Sequence, residues 1–94
     1  MKQTANDVKW FKTHGFVPDD ELNDEEPLWT LQLSEHWRIM VSLEQGWYFG
    51  LWKDGNWDEP LVEARAEDLK QAFSELRIKF GEYIAHQVSL LAKL

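Results

Sequence analysis

From Trp29 to Lys53 apolar residues recur at almost every second position, and from Leu69 onward they recur at every third or fourth. This change of period is the strongest constraint on the fold, because side chains alternate across a strand and repeat about every 3.6 residues round a helix. Leu28–Leu33 sets Trp29, Leu31 and Leu33 on one side and Thr30 and Gln32 on the other. Trp37, Ile39, Val41 and Leu43 then alternate with Arg38, Met40, Ser42 and Glu44. The Gln45-Gly46 step predicts a tight hairpin in which glycine supplies a positive φ. Beyond it, Trp47, Phe49 and Leu51 alternate with Tyr48, Gly50 and Trp52. Asp54-Gly55-Asn56 is a second turn signal, and Trp57–Val62, broken by Pro60, reads as a short edge strand or a loop.

Helical signals flank this strand region. Residues 4–14 read as a short helix, with Thr4 or Asn6 as N-cap, Asp7 in the first turn and Gly15 as the residue after the C-cap. Ala5, Val8, Phe11 and Trp10 give its apolar stripe, and Phe16 is placed to fold back onto the last turn. From about Ala66 a second helix runs to the C-terminus, with Leu69, Phe73, Leu76, Phe80, Tyr83/Ile84, Val88 and Leu91 at helical spacing. Gly81 within it marks a kink or a close backbone approach, since glycine costs about 1 kcal/mol there relative to alanine. The expected architecture is one α+β domain over residues 1–94. It has a short N-terminal helix, a three-stranded antiparallel meander and a long C-terminal helix on one sheet face, in the order αβββα. The acidic loop at 18–27 interrupts it, with Asp19, Asp20, Glu21, Asp24, Glu25 and Glu26 ahead of Pro27.

Composition narrows the function classes. Seventeen acids against ten bases leave a net charge of −7, and the bases are dispersed. Direct nucleic-acid binding and attraction to anionic membranes are both disfavoured, because each needs clustered Lys and Arg. The absence of cysteine rules out disulfides and thiolate metal ligands. No apolar run approaches the length of about 18 residues that a membrane span needs, and no secretory pattern opens the chain, so a cytoplasmic protein is the default.

Catalytic and metal signatures are weak. Asp54-Gly55-Asn56-Trp57-Asp58 matches the start of an EF-hand loop, but Glu59 stands where glycine is needed and Arg65 where the bidentate Glu belongs. Glu82 and His86, four apart, share a helix face and read as a surface pair, while His14 and His36 have no informative spacing to them. No nucleophile elbow, glycine-rich phosphate loop or H-E-x-x-H sequence is present. The expectation is a protein without catalytic residues, cofactor or metal.

The surplus aromatics point elsewhere. Six tryptophans occur, five of them between Trp29 and Trp57. Trp29, Trp37 and Trp47 fall in register with the aliphatic face and need no function to explain them. Tyr48, Trp52 and Met40 fall on the opposite face, with Trp57 nearby and Arg38 and Glu44 at the rim. Trp, Tyr, Met and Arg are the residue types enriched at protein interfaces. If both helices cover the same side of the sheet, these residues form an exposed patch; if the helices sandwich the sheet, they are core.

The order helix–strand–strand–strand–helix is similar to that of the double-stranded RNA-binding domain. Where that family carries basic residues at the start of its second helix, this chain has Glu63, Arg65, Glu67 and Asp68, so the likeness is one of topology. The segment from Arg38 to about Phe80, with "GWYFGLWKDGNW" and "LVEARAEDLKQAF", resembles the partial RNase H-type domain of HicB-like antitoxins, which implies an antitoxin-type module. In general character the chain is similar to small accessory proteins of phages and mobile elements.

These observations predict a non-enzymatic protein-binding module, inhibitor-like, that docks a protein partner through Tyr48, Trp52, Trp57, Met40 and Arg38. An alternative is a nucleic-acid mimic displaying Asp19–Glu26 together with Glu63, Glu67 and Asp68 along the start of the last helix. The acid-free stretch Tyr83–Leu94 overhangs a sheet of this size, which predicts a homodimer through the C-terminal helix.

Overall fold

The computed structural model describes residues 3–18 and 29–93. The chain runs α1 (Ala5–Thr13), β1 (Val17–Pro18), β2 (Trp29–Gln32), β3 (Trp37–Leu43), β4 (Trp47–Lys53), β5 (Val62–Ala66) and α2 (Leu69–Leu91). The five strands form one antiparallel sheet in the order β1-β2-β3-β4-β5. The class is α+β as the alternation predicts, but the sheet has two more strands than the three expected. Val17–Pro18 pairs with Thr30 and Trp29 and so adds a two-residue edge. Val62–Ala66 forms the opposite edge, and Ala66 therefore closes a strand rather than opening the helix.

Local chemistry sets the helix ends. Thr4 caps α1 in a reciprocal box: its hydroxyl accepts from the Asp7 amide at 3.1 Å, and Asp7 Oδ2 accepts from the Thr4 amide at 2.7 Å. At the other end Gly15, at φ 84°, turns the chain. The Gly15 and Phe16 amides then donate to the carbonyls of Lys12 and Phe11, which brings Phe16 back onto the helix. Asp68 caps α2 by accepting from the Gln71 amide at 3.1 Å.

At the β3–β4 turn the expected left-handed glycine is absent: only Gly15 and Gly55 have positive φ among the described residues. Gly46 is needed there for space instead, because a Cβ on it would lie 3.2 Å from the Ala66 carbonyl oxygen.

Both helices lie on the same side of the sheet. Phe11 is fully buried and stacks on Trp29 at 4.9 Å and on Phe49 at 6.1 Å, with Phe16 and Trp47 also against it. Trp10 bridges the helices, reaching Phe73 of α2 edge-on at 5.0 Å and Phe49 of β4 at 6.5 Å. Leu69, Ala72 and Leu76 of α2 complete the core over Ile39, Val41, Leu51 and Ala64. As parity predicts, Trp29 and Trp47 are buried, and Trp37 packs edge-on against Phe80 at 5.2 Å. Leu33, expected on that face, is 43% exposed because β2 ends before it. No helix among the described residues is long and apolar enough to cross a membrane.

Candidate protein-interaction face

With both helices on one side, the other face of the sheet carries no covering element among the described residues. Strand register determines which side chains meet there. Arg38 stands opposite Trp52, Met40 opposite Gly50 and Ser42 opposite Tyr48, while Tyr48 in turn faces Arg65 and Gly50 faces Glu63. The five residues singled out by parity therefore come together: Arg38, Met40, Tyr48 and Trp52 lie half-buried on this face, and Trp57 folds beside them.

Gly50 is the floor of the patch. A Cβ there would come within 2.7 Å of both Trp52 Nε1 and the Tyr48 hydroxyl, so the two side chains converge over the one position in β4 that has no side chain. Trp52 leans on Trp57 with ring centroids 6.4 Å apart, and Trp57 is 48% exposed. An arginine sits at each end of this aromatic row. The Arg65 guanidinium lies 4.6 Å over the Tyr48 ring, and that of Arg38 lies 5.7 Å from the Trp57 ring, both within cation–π range. Arg38 Nε also donates to Gln32 Oε1 at 2.9 Å, which fixes its direction along the strand.

Two polar details distinguish this face from a merely uncovered one. The Tyr48 hydroxyl donates to Glu63 Oε2 at 2.9 Å. Burial, then this hydrogen bond and the Glu63 charge, push its pKa from 10.0 to about 12, with Arg65 acting in the opposite direction. Trp52 Nε1 is shielded from solvent yet donates to nothing among the described residues. A buried donor without a partner costs about 1–3 kcal/mol, so the indole N–H is a destabilising point of this face as it stands. A shallow pocket of about 310 Å³ adjoins the Tyr48 end, lined in part by Ser42, Glu44, Arg65 and Glu67.

Arg65, Glu63 and Gly50 were absent from the residues assigned to the patch by sequence. The signal for the first two was the alternation Val62-Glu63-Ala64-Arg65-Ala66, which was masked by its closeness to the helix cap.

The other sequence candidates are dispersed. Asp19, Asp20, Glu21, Asp24, Glu25 and Glu26 lie outside the described residues. Glu67 and Asp68 stand exposed at the start of α2, Asp68 as its cap, while Glu63 lies on the sheet face bonded to Tyr48. Glu82 and His86 are exposed on α2. Among the described residues no group of three His, Cys, Asp or Glu side chains is close enough to hold a metal ion.

Compared with known proteins, the chain matches no family model, no curated protein and no solved structure.

Proposed function

We propose that the chain is a protein-binding module whose docking surface is the uncovered sheet face built from Tyr48, Trp52, Trp57, Met40 and Arg38, extended by Arg65. One observation carries the reading: an aromatic row with a solvent-shielded, unpartnered indole donor stands on the side of the sheet that neither helix covers. Trp, Tyr and Arg dominate interface hot spots because they bring large contact area together with a polar handle.

The face also selects the chemistry of its partner. Arg38 and Arg65 place guanidinium groups at the ends of the aromatic row, with Glu63 bonded to Tyr48 and Glu44 and Glu67 beyond the Tyr48 end. The surface suits a segment that packs an apolar side chain against Met40 and the Trp52 and Trp57 rings and offers carboxylate or carbonyl oxygens to the two guanidinium groups. Sheet-edge addition is the less suitable mode. β1 is two residues long and ends in Pro18, and at β5 the Glu63 carbonyl already accepts from Lys79 Nζ at 2.8 Å.

The test is Trp52→Ala against a partner captured from host lysate and then purified. Affinity should fall at least about 30-fold, the loss typical of a hot-spot truncation, with circular dichroism and thermal melting close to wild type. Unchanged affinity would refute the reading. Binding that collapses as salt rises while Trp52→Ala stays tight would favour a charge-driven mimic instead.

A further inference from the structure

We propose that the apolar recess between α2 and the β2–β3 end of the sheet binds a small organic carboxylate, with its apolar body inside and its charge on Arg77. The recess has a volume of about 170 Å³. Its floor is the register pair Ile39 and Leu51, both almost wholly buried. Phe73, Leu76 and Phe80, at helical spacing on α2, form its wall. Leu33, 43% exposed beyond the end of β2, stands at the rim.

The fold explains why this space is open. α1 is only nine residues long, and its Phe11 fills the other end of the helix side, against Trp29, Trp47 and Phe49. α2 packs mainly over β5 and β4. At the β2–β3 turn the amides of Leu33 and Ser34 both donate to the Trp37 carbonyl, at 2.9 and 3.3 Å. β2 therefore stops there, and the recess stays open beside it. Water finds no hydrogen-bond partners in such a space, and leaving it empty forfeits dispersion contacts. An apolar group that enters restores those contacts.

Size and charge select the ligand. A dry cavity of about 150 Å³ holds one benzene ring, so this recess takes a single ring or a short alkyl chain. Drug-sized ligands occupy about 300–1,000 Å³ and are too large. Arg77 is the one charged residue of the lining. Its guanidinium lies 6.0 Å from the Phe73 ring centroid, at the edge of cation–π range, which places the charge beside the recess. The ion pair among the described residues joins His36 to Glu35, so Arg77 has no carboxylate partner there. A guanidinium matches a carboxylate through two parallel N–H···O bonds. The recess thus offers hydrocarbon packing and one cation. It opens on the helix side of the sheet and owes nothing to Tyr48 or Trp52, so it can hold or fail independently of the docking face.

Methyl and indole NMR spectra of the full chain, titrated with 3-phenylpropionate at about pH 7, test this. The Leu33, Ile39 and Leu51 methyls should shift saturably, as should the indole of Trp37, whose ring packs on Phe80 at 5.2 Å. The dissociation constant should be on the order of 100 µM, within reach of a ligand of this size. The Trp52 and Trp57 signals should stay in place. 3-Phenylpropan-1-ol, the same body without the charge, should bind at least about fivefold more weakly. Arg77 is exposed, so Arg77→Met should fold as wild type, lose a similar factor for the acid and bind the alcohol unchanged. No saturable shift up to about 10 mM, shifts centred on Trp52 and Trp57, equal affinity for acid and alcohol, or undiminished binding of the acid by Arg77→Met would each overturn the inference. So would recess methyls that ignore the acid and move only with a purified protein partner, which would assign the space to a partner's side chain.

Discussion

Gly50 governs the candidate face at the scale of single residues, because Tyr48 and Trp52 both occupy the space its missing side chain leaves. The atoms a methyl group would strike are the ends of two side chains rather than backbone. Gly50→Ala is therefore expected to leave the sheet intact and push the rings apart, breaking the Tyr48–Glu63 hydrogen bond. Tyrosinate absorbance checks this. In the native chain Tyr48 should ionise near 12 instead of 10.0, and Gly50→Ala should return it toward the ordinary value. Glu63→Gln should lower it only part of the way, since burial is the larger cause. The sign for stability follows from linkage. The folded state holds the proton more tightly than the unfolded chain, so the contribution is complete below pH 10 and is lost as pH rises through about 12. Alkaline melts of the Glu63→Gln chain should lose less stability across that window than wild type; an equal loss would contradict the assignment.

At the scale of elements, α2 and β5 decide what the chain exposes. The aromatic interlock of Trp10 with Phe73 holds α1 beside α2 on one face, and Phe11 is the centre against which both meet the sheet. Phe11→Ala should cost about 3–5 kcal/mol in chemical denaturation, as a fully buried aromatic does, whereas Gly81→Ala should raise stability by up to about 1 kcal/mol. Much of this organisation was legible in the sequence. Parity separated Trp29 and Trp47 from Tyr48 and Trp52, because a strand's side chains must alternate. Helix spacing likewise located α2 and its overhang. β5 was not legible: five residues with two alanines on the buried side lack the bulky β-branched or aromatic signature of a strand, and they run straight into a helix cap. Nor could the sequence say that both helices share one side. That depends on contacts between Trp10, Phe49 and Phe73, which lie far apart along the chain.

On the scale of the whole molecule, one side of the sheet is buried under both helices and the other carries the proposed docking face. The edges are guarded by the shortness of β1, by Pro18 and by Lys79 on the Glu63 carbonyl. The six tryptophans are built-in reporters for the face, since Trp52 and Trp57 lie on it and Trp29 and Trp47 are buried on the other side. The most direct measurement is the set of indole N–H resonances during titration with the purified partner. The Trp52 and Trp57 signals should move or broaden on binding while those of Trp29 and Trp47 stay in place. Binding that leaves the Trp52 and Trp57 signals unmoved would contradict the assignment of this face as the docking surface.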